Sequence, residues 1–393
     1  MKIAIVPGIF FPEPGGAQIQ THNLANKLIE KGEHVDILIN KSTNIKNNNY
    51  NIKILNNFLL SIIYFFNIYF KINLKYILKL YLNIIIKINK YDIWHFIFLN
   101  FKNLILINCL KELDQKIIVT FQGADIQIDK NINYGYRLNE NYDYNLKKTI
   151  KNIDLFISIS KNIKNDIIDL EVPKNKIILI PNSVEIKKIQ EIKKNFLKKK
   201  TNYLRLITVA RFAEKKKGFD LVEIFARKLI SQQIKFNWTF VGKNIHNIKK
   251  NVYVKNNQQF FNFIDNIENI EETYYPHTDL IKLYLDSDLY VNLARIESFG
   301  ITFVESLACD LPIISFKKKG VEEVVIDKKN GYLSTNDNID YLIEKIKELQ
   351  NDKFKLNELK KNCVNSIIQF DTNLIADLTI KSYENLINKM TKY

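Results

Sequence analysis

Short apolar runs alternate along this chain with stretches of helical spacing. Lys2–Val6 sets Ile3, Ala4, Ile5 and Val6 in a row, the mark of a strand covered on both faces. Ala17–Lys31 repeats Ile19, His22, Leu24, Leu28 and Ile29 at helical spacing. Gly32 ends that helix, and Val35–Ile39 reads as the next strand. Strand, loop, helix, strand is a βαβ unit, which predicts a parallel sheet with helices on its faces. Further strands are predicted at Asp92–Phe98, Lys116–Phe121, Leu155–Ile159 and Lys176–Ile180.

Glu185–Asn202 then interrupts the pattern with seven lysines and few core-forming residues. It reads as a joint or an exposed helix, and the two are compatible. Beyond it the pattern restarts. Leu204–Val209 is a strand, Phe219–Leu229 a helix and Asn237–Val241 a strand. More strands are predicted at Asn251–Lys255, Leu289–Leu293, Pro312–Phe316 and Gly331–Leu333. Asp279–Leu285, Ser298–Cys309, Ile339–Leu349, Asn357–Gln369 and Leu374–Lys389 read as helices. No unit repeats at a period of about 20–50 residues, which argues against solenoids and propellers. The expectation is two doubly wound α/β domains, 1–185 and 204–370, joined by 186–203. A last helix, 371–393, is expected to cross back to the first domain. The default ligand site is the cleft between the carboxyl edges of the two sheets.

Composition narrows the class. With 46% hydrophobic and 25% charged residues among 393, the chain is globular rather than disordered. Its three cysteines, Cys109, Cys309 and Cys363, lie far apart, which argues against a zinc ribbon or a disulfide scaffold and for a reduced, cytoplasmic compartment. Lys+Arg outnumber Asp+Glu by 58 to 42. That surplus suits an anionic partner, or it reflects the general crowding of Lys, Asn and Ile. The first apolar run is too short for a signal-peptide core. Ile54–Phe70 is interrupted by Asn56, Asn57, Ser61 and Asn67, so no transmembrane helix is expected there.

Lys71–Lys90 is more informative. On a helical wheel Lys71, Lys75, Lys79, Lys87 and Lys90 fall within about 160° of arc, with Leu74, Ile77, Leu78, Leu80, Tyr81, Ile84, Ile85 and Ile88 opposite. Two readings stay open. One is a helix lying on an anionic membrane surface; the other is a helix packed on the sheet with its lysines in solvent.

Three stretches carry chemistry, each between a predicted strand and a helix. Phe11-Pro12-Glu13-Pro14-Gly15-Gly16-Ala17 offers paired glycines at a helix start, where backbone can approach an anion. It is not the dinucleotide fingerprint. Ala210-Arg211-Phe212-Ala213-Glu214-Lys215-Lys216-Lys217-Gly218 offers a guanidinium that can fork onto phosphate and an ammonium as a point charge. Arg295-Ile296-Glu297-Ser298-Phe299-Gly300-Ile301-Thr302-Phe303-Val304-Glu305-Ser306 sets one glutamate before a helix and another about two turns on. Ser298 is the expected N-cap, and the amides near Gly300 can hold phosphate. Asp286-Ser287-Asp288 has the spacing of a metal-binding D-x-D, but its place favours helix capping. His95 reads as a core histidine and His277 as loop surface.

In this order the stretches resemble the retaining glycosyltransferases of family 4, the glycosyl transferases group 1 set. Glu297 and Glu305 match its Glu-x7-Glu motif; Arg211 with Lys217-Gly218 and the Gly15-Gly16 loop match two more elements. Pro181-Asn182-Ser183-Val184-Glu185, Gly320-Val321-Glu322-Glu323-Val324-Val325 and Asn330-Gly331-Tyr332-Leu333 are lesser matches. The resemblance implies the GT-B fold, two Rossmann-like doubly wound domains facing across a cleft, with acceptor bound by the first and nucleotide-sugar by the second. It implies that Arg211 and Lys217 bind the donor diphosphate, that Glu297 contacts the transferred sugar, and that Glu305 holds the ribose. Ser298, Phe299, Gly300 and Ile301 would line the donor phosphate, and Gly15 and Gly16 would approach it. Val119-Thr120-Phe121-Gln122-Gly123-Ala124-Asp125 resembles the family's His-Gly-x-Asp segment, with Gln122 in place of histidine and Asp125 retained. Gln122 cannot take a proton at neutral pH.

The implied function is transfer of a sugar from a nucleotide-diphosphate donor, a UDP-sugar foremost, without metal or other cofactor. The implied acceptor is a lipid-linked or surface-polysaccharide or lipopolysaccharide glycan. The expected partners are donor, acceptor and an anionic membrane surface reached through 71–90, with no nucleic acid. The expected place is the cytoplasm, peripheral on the inner face of the cell membrane. Gln122 keeps a rival open, a catalytically altered partner or binding subunit; a sugar-nucleotide epimerase on the same fold is another.

Overall fold

The computed structural model of the chain describes residues 1–393 except 12–14, 42, 44, 46–47, 56–58, 60, 64, 67–73, 213–214, 266, 268–271 and 391–393, and the side chains of 389 and 390. It divides into two compact units. One is Met1–Asn182 with Ile270–Tyr274 and Thr372–Tyr393; the other is Ser183–Asn269 with Tyr275–Asp371.

The first unit is built on β1 (Lys2–Pro7), β2 (His34–Ile39), β3 (Asn51–Ile54), β4 (Ile93–Ile97), β5 (Ile117–Phe121), β6 (Leu155–Ser158) and β7 (Ile177–Leu179). Their order is β3-β2-β1-β4-β5-β6-β7, parallel throughout. Every residue of β4 and β5 is buried, as continuous apolar strands between helical layers must be. Gly32, at φ +89°, takes the left-handed turn after the Gly16–Glu30 helix. The helix Thr372–Met390 packs on that helix, and Lys31 pairs with Asp377 at 2.7 Å.

The second unit holds β8 (Leu204–Val209), β9 (Phe236–Val241), β10 (Phe261–Ile264), β11 (Leu289–Asn292), β12 (Ile313–Phe316) and β13 (Gly331–Ser334), in parallel order β10-β9-β8-β11-β12-β13. Its core gathers Leu206, Phe225, Trp238, Phe240 and Val291. In both sheets the strand order reverses beside the first strand, at β1/β4 and at β8/β11. Such switch points open a crevice at the carboxyl ends of the strands.

Several expectations change. β3 and β10 were not expected; they are four-residue edge strands with polar or exposed positions. Asn251–Lys255, expected as a strand, is instead the cap and start of the helix Val252–Asn256, because the Asn251 side chain accepts the Val254 amide at 3.1 Å. The helix expected from Ser298 begins at Ile301, with Gly300 rather than Ser298 at its N-cap and in the left-handed conformation. Of the expected joint, Ile186–Lys194 is a helix with Ile186 and Ile189 buried. His277 is not loop surface: it is buried and caps the helix Thr278–Asp286, its Nδ1 accepting the Asp279 amide at 3.1 Å.

Asp286 and Asp288 do not cap a helix start; both hold Arg205 at the start of β8, at 2.6 Å to its guanidinium and 2.9 Å to its amide. His95 is a core histidine, bonded to Tyr383 at 2.6 Å and Thr120 at 2.7 Å, and burial pulls its pKa down to about 3. Among the described residues no helix is long and apolar enough to cross a membrane; much of 54–70 lies outside them.

The Lys71–Lys90 stretch forms the helix Lys75–Asn89; Lys71 lies outside the described residues. Its buried residues are Leu78, from the apolar half, and Leu82, which falls within the lysine arc. Tyr76, Ile77, Leu80, Ile84 and Ile88 are exposed, Tyr76 and Ile88 by more than 70%. Lys75 and Lys79 turn instead to Glu112. The sheet-packed reading, with apolar residues inward and lysines outward, does not describe this helix.

Candidate active site

The carboxyl ends of β8 and β11 lie side by side at the switch point of the second unit, so the loops that follow them meet. After β8, Arg211 is exposed while its neighbour Phe212 is buried, its amide held by the Lys243 carbonyl at 2.9 Å. The chain then forms a tight turn at Lys215–Lys217. Gly218 sits at φ +66°, and a Cβ there would lie 1.9 Å from the Leu293 carbonyl oxygen in the loop after β11. Only glycine allows that approach, and it takes that left-handed backbone without strain. Across the contact the Lys217 ammonium reaches Glu297 Oε1 at 2.5 Å. Glu297 is nine-tenths buried, and the loop after β12 closes on its other side: a Cβ on Gly320 would fall 2.0 Å from the Glu297 carbonyl oxygen.

From Glu297 the chain runs through Ser298 and the buried Phe299, whose ring meets Phe370 edge-on at 5.2 Å, to Gly300 and the eight-residue helix Ile301–Ala308. The first-turn amides of that helix form its positive end. Tyr290, from β11, stands 3.2 Å from the Val209 carbonyl and 2.8 Å from the Thr302 hydroxyl, which ties this end to β8. Glu305 lies deeper on the buried side. The Tyr284 hydroxyl donates to it at 2.9 Å, and burial pushes its pKa up to about 7. The second unit thus brings Lys217, Glu297, Ser298, Phe299, Gly300 and Ile301 together at one sheet edge, with Arg211 on the same loop as Lys217. Glu305 is engaged by the Tyr284 hydroxyl.

The corresponding edge of the first unit carries Gly15, Gly16, Gln122 and Asp125. Gly15 is the N-cap of the Gly16–Glu30 helix in extended backbone that any residue adopts, so conformation does not require glycine there. Pro12, Glu13 and Pro14, and Ala213 and Glu214 of the other loop, lie outside the described residues. Asp125 is fully buried. Its carboxylate accepts the amides of Leu99 at 3.0 Å, Gln122 at 3.0 Å and Gly123 at 2.8 Å, while burial pushes its pKa up to about 6. It therefore welds the turn after β5 to the loop after β4. The Gln122 amide pairs with Asn182 in both directions, at 3.0 and 3.3 Å. Among the described residues no three His, Cys, Asp or Glu side chains gather as a metal site.

Two family models divide the chain at residue 188. Residues 14–188 match "Glycosyltransferase Family 4" and residues 189–367 match "Glycosyl transferases group 1". The chain belongs to glycosyltransferase family 4. This family 4 chain is 31% identical over 245 residues to an uncharacterized glycosyltransferase of Methanocaldococcus jannaschii, covering 62% of the chain and 60% of that protein. It is 24% identical over 231 residues to the N-acetyl-alpha-D-glucosaminyl L-malate synthase of Bacillus anthracis, covering 56% and 54%. The chain thus spans between half and two thirds of the length of these relatives. Its fold is GT-B: Anabaena HepE in complex with UDP superposes at a TM-score of 0.71 with 15% identity, covering 98% of this chain and all of that one. The sucrose-phosphate synthase of Thermosynechococcus elongatus gives 0.72 at 15% identity, covering 99% and 100%.

Sequence reasoning did not single out Tyr284, Asn182 or Arg295 of this family 4 chain as partners of site residues. Periodicity reports which face a residue takes, not which side chain meets it across strands. Asn182 had a signal in the Pro181–Glu185 match and Arg295 in opening the Arg295–Ser306 stretch, while Tyr284 had none.

Proposed function

We propose that the protein is a retaining glycosyltransferase. It moves a sugar from a nucleotide-diphosphate donor, a UDP-sugar foremost, to a lipid-linked, surface-polysaccharide or lipopolysaccharide acceptor. One observation carries this reading: at the β8/β11 switch point an ammonium, a carboxylate and the amino end of a helix meet. Arg211 and Lys217 take the diphosphate, and the amides of Phe299, Gly300 and Ile301 with Ser298 take its distal phosphate. Glu297 takes hydroxyls of the transferred sugar and Glu305 the ribose. In the first unit Gly15 and Gly16 meet donor phosphate and Gln122 the reacting sugar, while Asp125 acts by fixing the Gln122 backbone.

When the bond between sugar and diphosphate breaks, positive charge grows at the anomeric carbon and negative charge on the leaving group. Cations and amides already aimed at that group favour the transition state over the bound substrate. On this reading the chain's own cations serve where other transferases use a metal.

A UDP complex among the similar folds supports the donor class. Two relatives support a lipid acceptor. One is the N,N'-diacetylbacillosaminyl-diphospho-undecaprenol alpha-1,3-N-acetylgalactosaminyltransferase of Campylobacter jejuni, 29% identical over 114 residues. The other is the alpha-monoglucosyldiacylglycerol synthase of Acholeplasma laidlawii, 28% identical over 191. The helix Lys75–Asn89 fits such an acceptor: its exposed apolar side carries Lys87, and its sequence holds no acidic residue. It lies in the headgroup layer of the inner membrane face, with Tyr76, Leu80 and Ile84 inserted and Lys87 and Lys90 on the anionic lipids.

The deciding experiment is a thermal-shift panel of UDP, GDP, ADP and CMP, followed by transfer assays with the stabilising nucleotide's sugars. A ligand bound only by folded protein raises the melting temperature. Glu297→Ala is expected to keep the fold and abolish transfer; wild-type turnover in that variant would remove Glu297 from the site. Gln122 favours a second reading, a binding subunit. Nucleotide binding without turnover on any acceptor would select it.

A further inference from the structure

Arg295 is absorbed by none of the roles above, yet it makes four hydrogen bonds to the 215–220 turn. It lies in the loop after β11, two residues before Glu297. Its amide donates to the Lys216 carbonyl at 2.7 Å. Its Nη1 donates to the Lys215 carbonyl at 2.8 Å. Nη1 and Nη2 also fork onto the two oxygens of Asp220, at 2.8 and 2.7 Å. One residue thus grips the 215–220 turn at three points on either side of Lys217. The pairing holds Asp220 below the usual carboxylate range and Arg295 above its ordinary value.

We infer that Arg295, through Asp220 and the Lys215 and Lys216 carbonyls, is the positioning residue that aims Lys217 at the donor diphosphate. The inference deepens the donor-site reading and rests on it. Three successive like charges at Lys215, Lys216 and Lys217 repel one another, and a turn so charged needs a fastening to hold one ammonium in place. Gly218 supplies the close approach to Leu293, but a glycine contact restrains no side chain. Arg295 supplies the fixed geometry, because a guanidinium can serve a carboxylate bidentately and a carbonyl at once. Both of its Nη nitrogens are held by the turn, and Arg295 acts on phosphate through Lys217.

A double-mutant cycle tests this, read by calorimetric binding of UDP with uridine as the control. Arg295→Ala is expected to weaken UDP about tenfold, the scale of one charged hydrogen bond, while uridine, which lacks phosphate, binds as before. In a Lys217→Ala background Arg295→Ala is expected to add little, because both changes remove the same contact. Arg295→Lys, which keeps the charge but not the fork, is expected to fall between. Equal losses for UDP and uridine, or full additivity with Lys217→Ala, would overturn the assignment.

Hydrogen exchange of the 215–221 amides separates the two readings. If wild-type protein binds neither UDP, GDP, ADP nor CMP, the donor site falls and the inference with it. If UDP binds and Arg295→Ala leaves these amides as protected as in wild type, the donor site stands and the clamp alone falls.

Discussion

Glu305 is buried in the second unit with one tyrosine hydroxyl as its partner, and this sets a sign for the pH dependence of stability. Burial raises its pKa from 4.5 to about 7. A carboxyl whose folded value is raised contributes stability that is present in full below the unfolded value. That contribution falls as pH climbs, and it is gone just above the folded value. The window is therefore about 4.5 to 7. Each pH unit between the two values is worth about 1.4 kcal/mol, so the loss across the window is about 3 kcal/mol. Asp125, pushed up to about 6 in the other unit, slopes the same way, so the wild-type curve alone does not isolate Glu305.

Glu305→Gln does isolate it. The amide oxygen still accepts the Tyr284 hydroxyl, and the titration is gone. The chain has two tryptophans, Trp94 and Trp238, both buried and one in each unit. In a Trp94→Phe background, fluorescence during urea unfolding follows the second unit. The stability of Glu305→Gln relative to its parent is expected to rise by about 3 kcal/mol between pH 4.5 and 7.5. A difference that stays flat within about 0.5 kcal/mol would refute burial as the force on Glu305.

Three other outcomes follow from the geometry. Gly218→Ala would drive a Cβ to 1.9 Å from the Leu293 carbonyl at φ +66°, and is expected to cost about 2–3 kcal/mol in the second unit's urea unfolding; an unchanged midpoint would show that the loops separate freely. A pH–rate profile of the wild type is expected to show no inflection from residue 122, and Gln122→His to introduce one near pH 6.5, about where a histidine titrates; an unchanged profile in active Gln122→His would place residue 122 away from the reacting sugar. Leu80→Glu with Ile84→Glu is expected to abolish flotation with phosphatidylglycerol vesicles while the melting temperature stays near wild type, because both side chains are exposed; undiminished flotation would end the membrane assignment of this helix.

Much of the fold was legible because parallel strands buried on both faces write themselves as unbroken apolar runs. β1 follows that rule with Ile3–Val6, and β4, β5, β8, β11 and β12 depart from it by one or two polar positions each. β3 and β10 did not show, since Asn51–Ile54 alternates polar residues at a sheet edge and Phe261–Ile264 is broken by the exposed Asn262 at an edge of the other sheet. Asn251 misled for a local reason: a strand-like run of Val, Tyr and Val became a helix once an amide side chain capped it. The lysine-bearing helix misled differently. Its wheel gathers the lysines on one side, but a wheel does not say which side the protein covers. Glu112, some thirty residues on, draws Lys75 and Lys79 toward it and leaves the apolar side outward.

The candidate site's residues stood out in the sequence; their pairings did not. Lys217 and Glu297 are 80 residues apart and meet only because β8 and β11 are neighbours at the switch point. That pairing has a consequence for binding. With side-chain exposures of 22% and 8%, each charge is largely withdrawn from water and depends on the other. On the donor-site reading proposed above, an arriving diphosphate would compete with Glu297 for the ammonium, and a carboxylate released from Lys217 would need new donors at once. Hydroxyls of the transferred sugar are such donors. A nucleoside diphosphate without its sugar supplies only half of this exchange, whereas the intact donor supplies both halves. On that reading, the same pair that holds the loops together favours nucleotide-sugar over nucleotide.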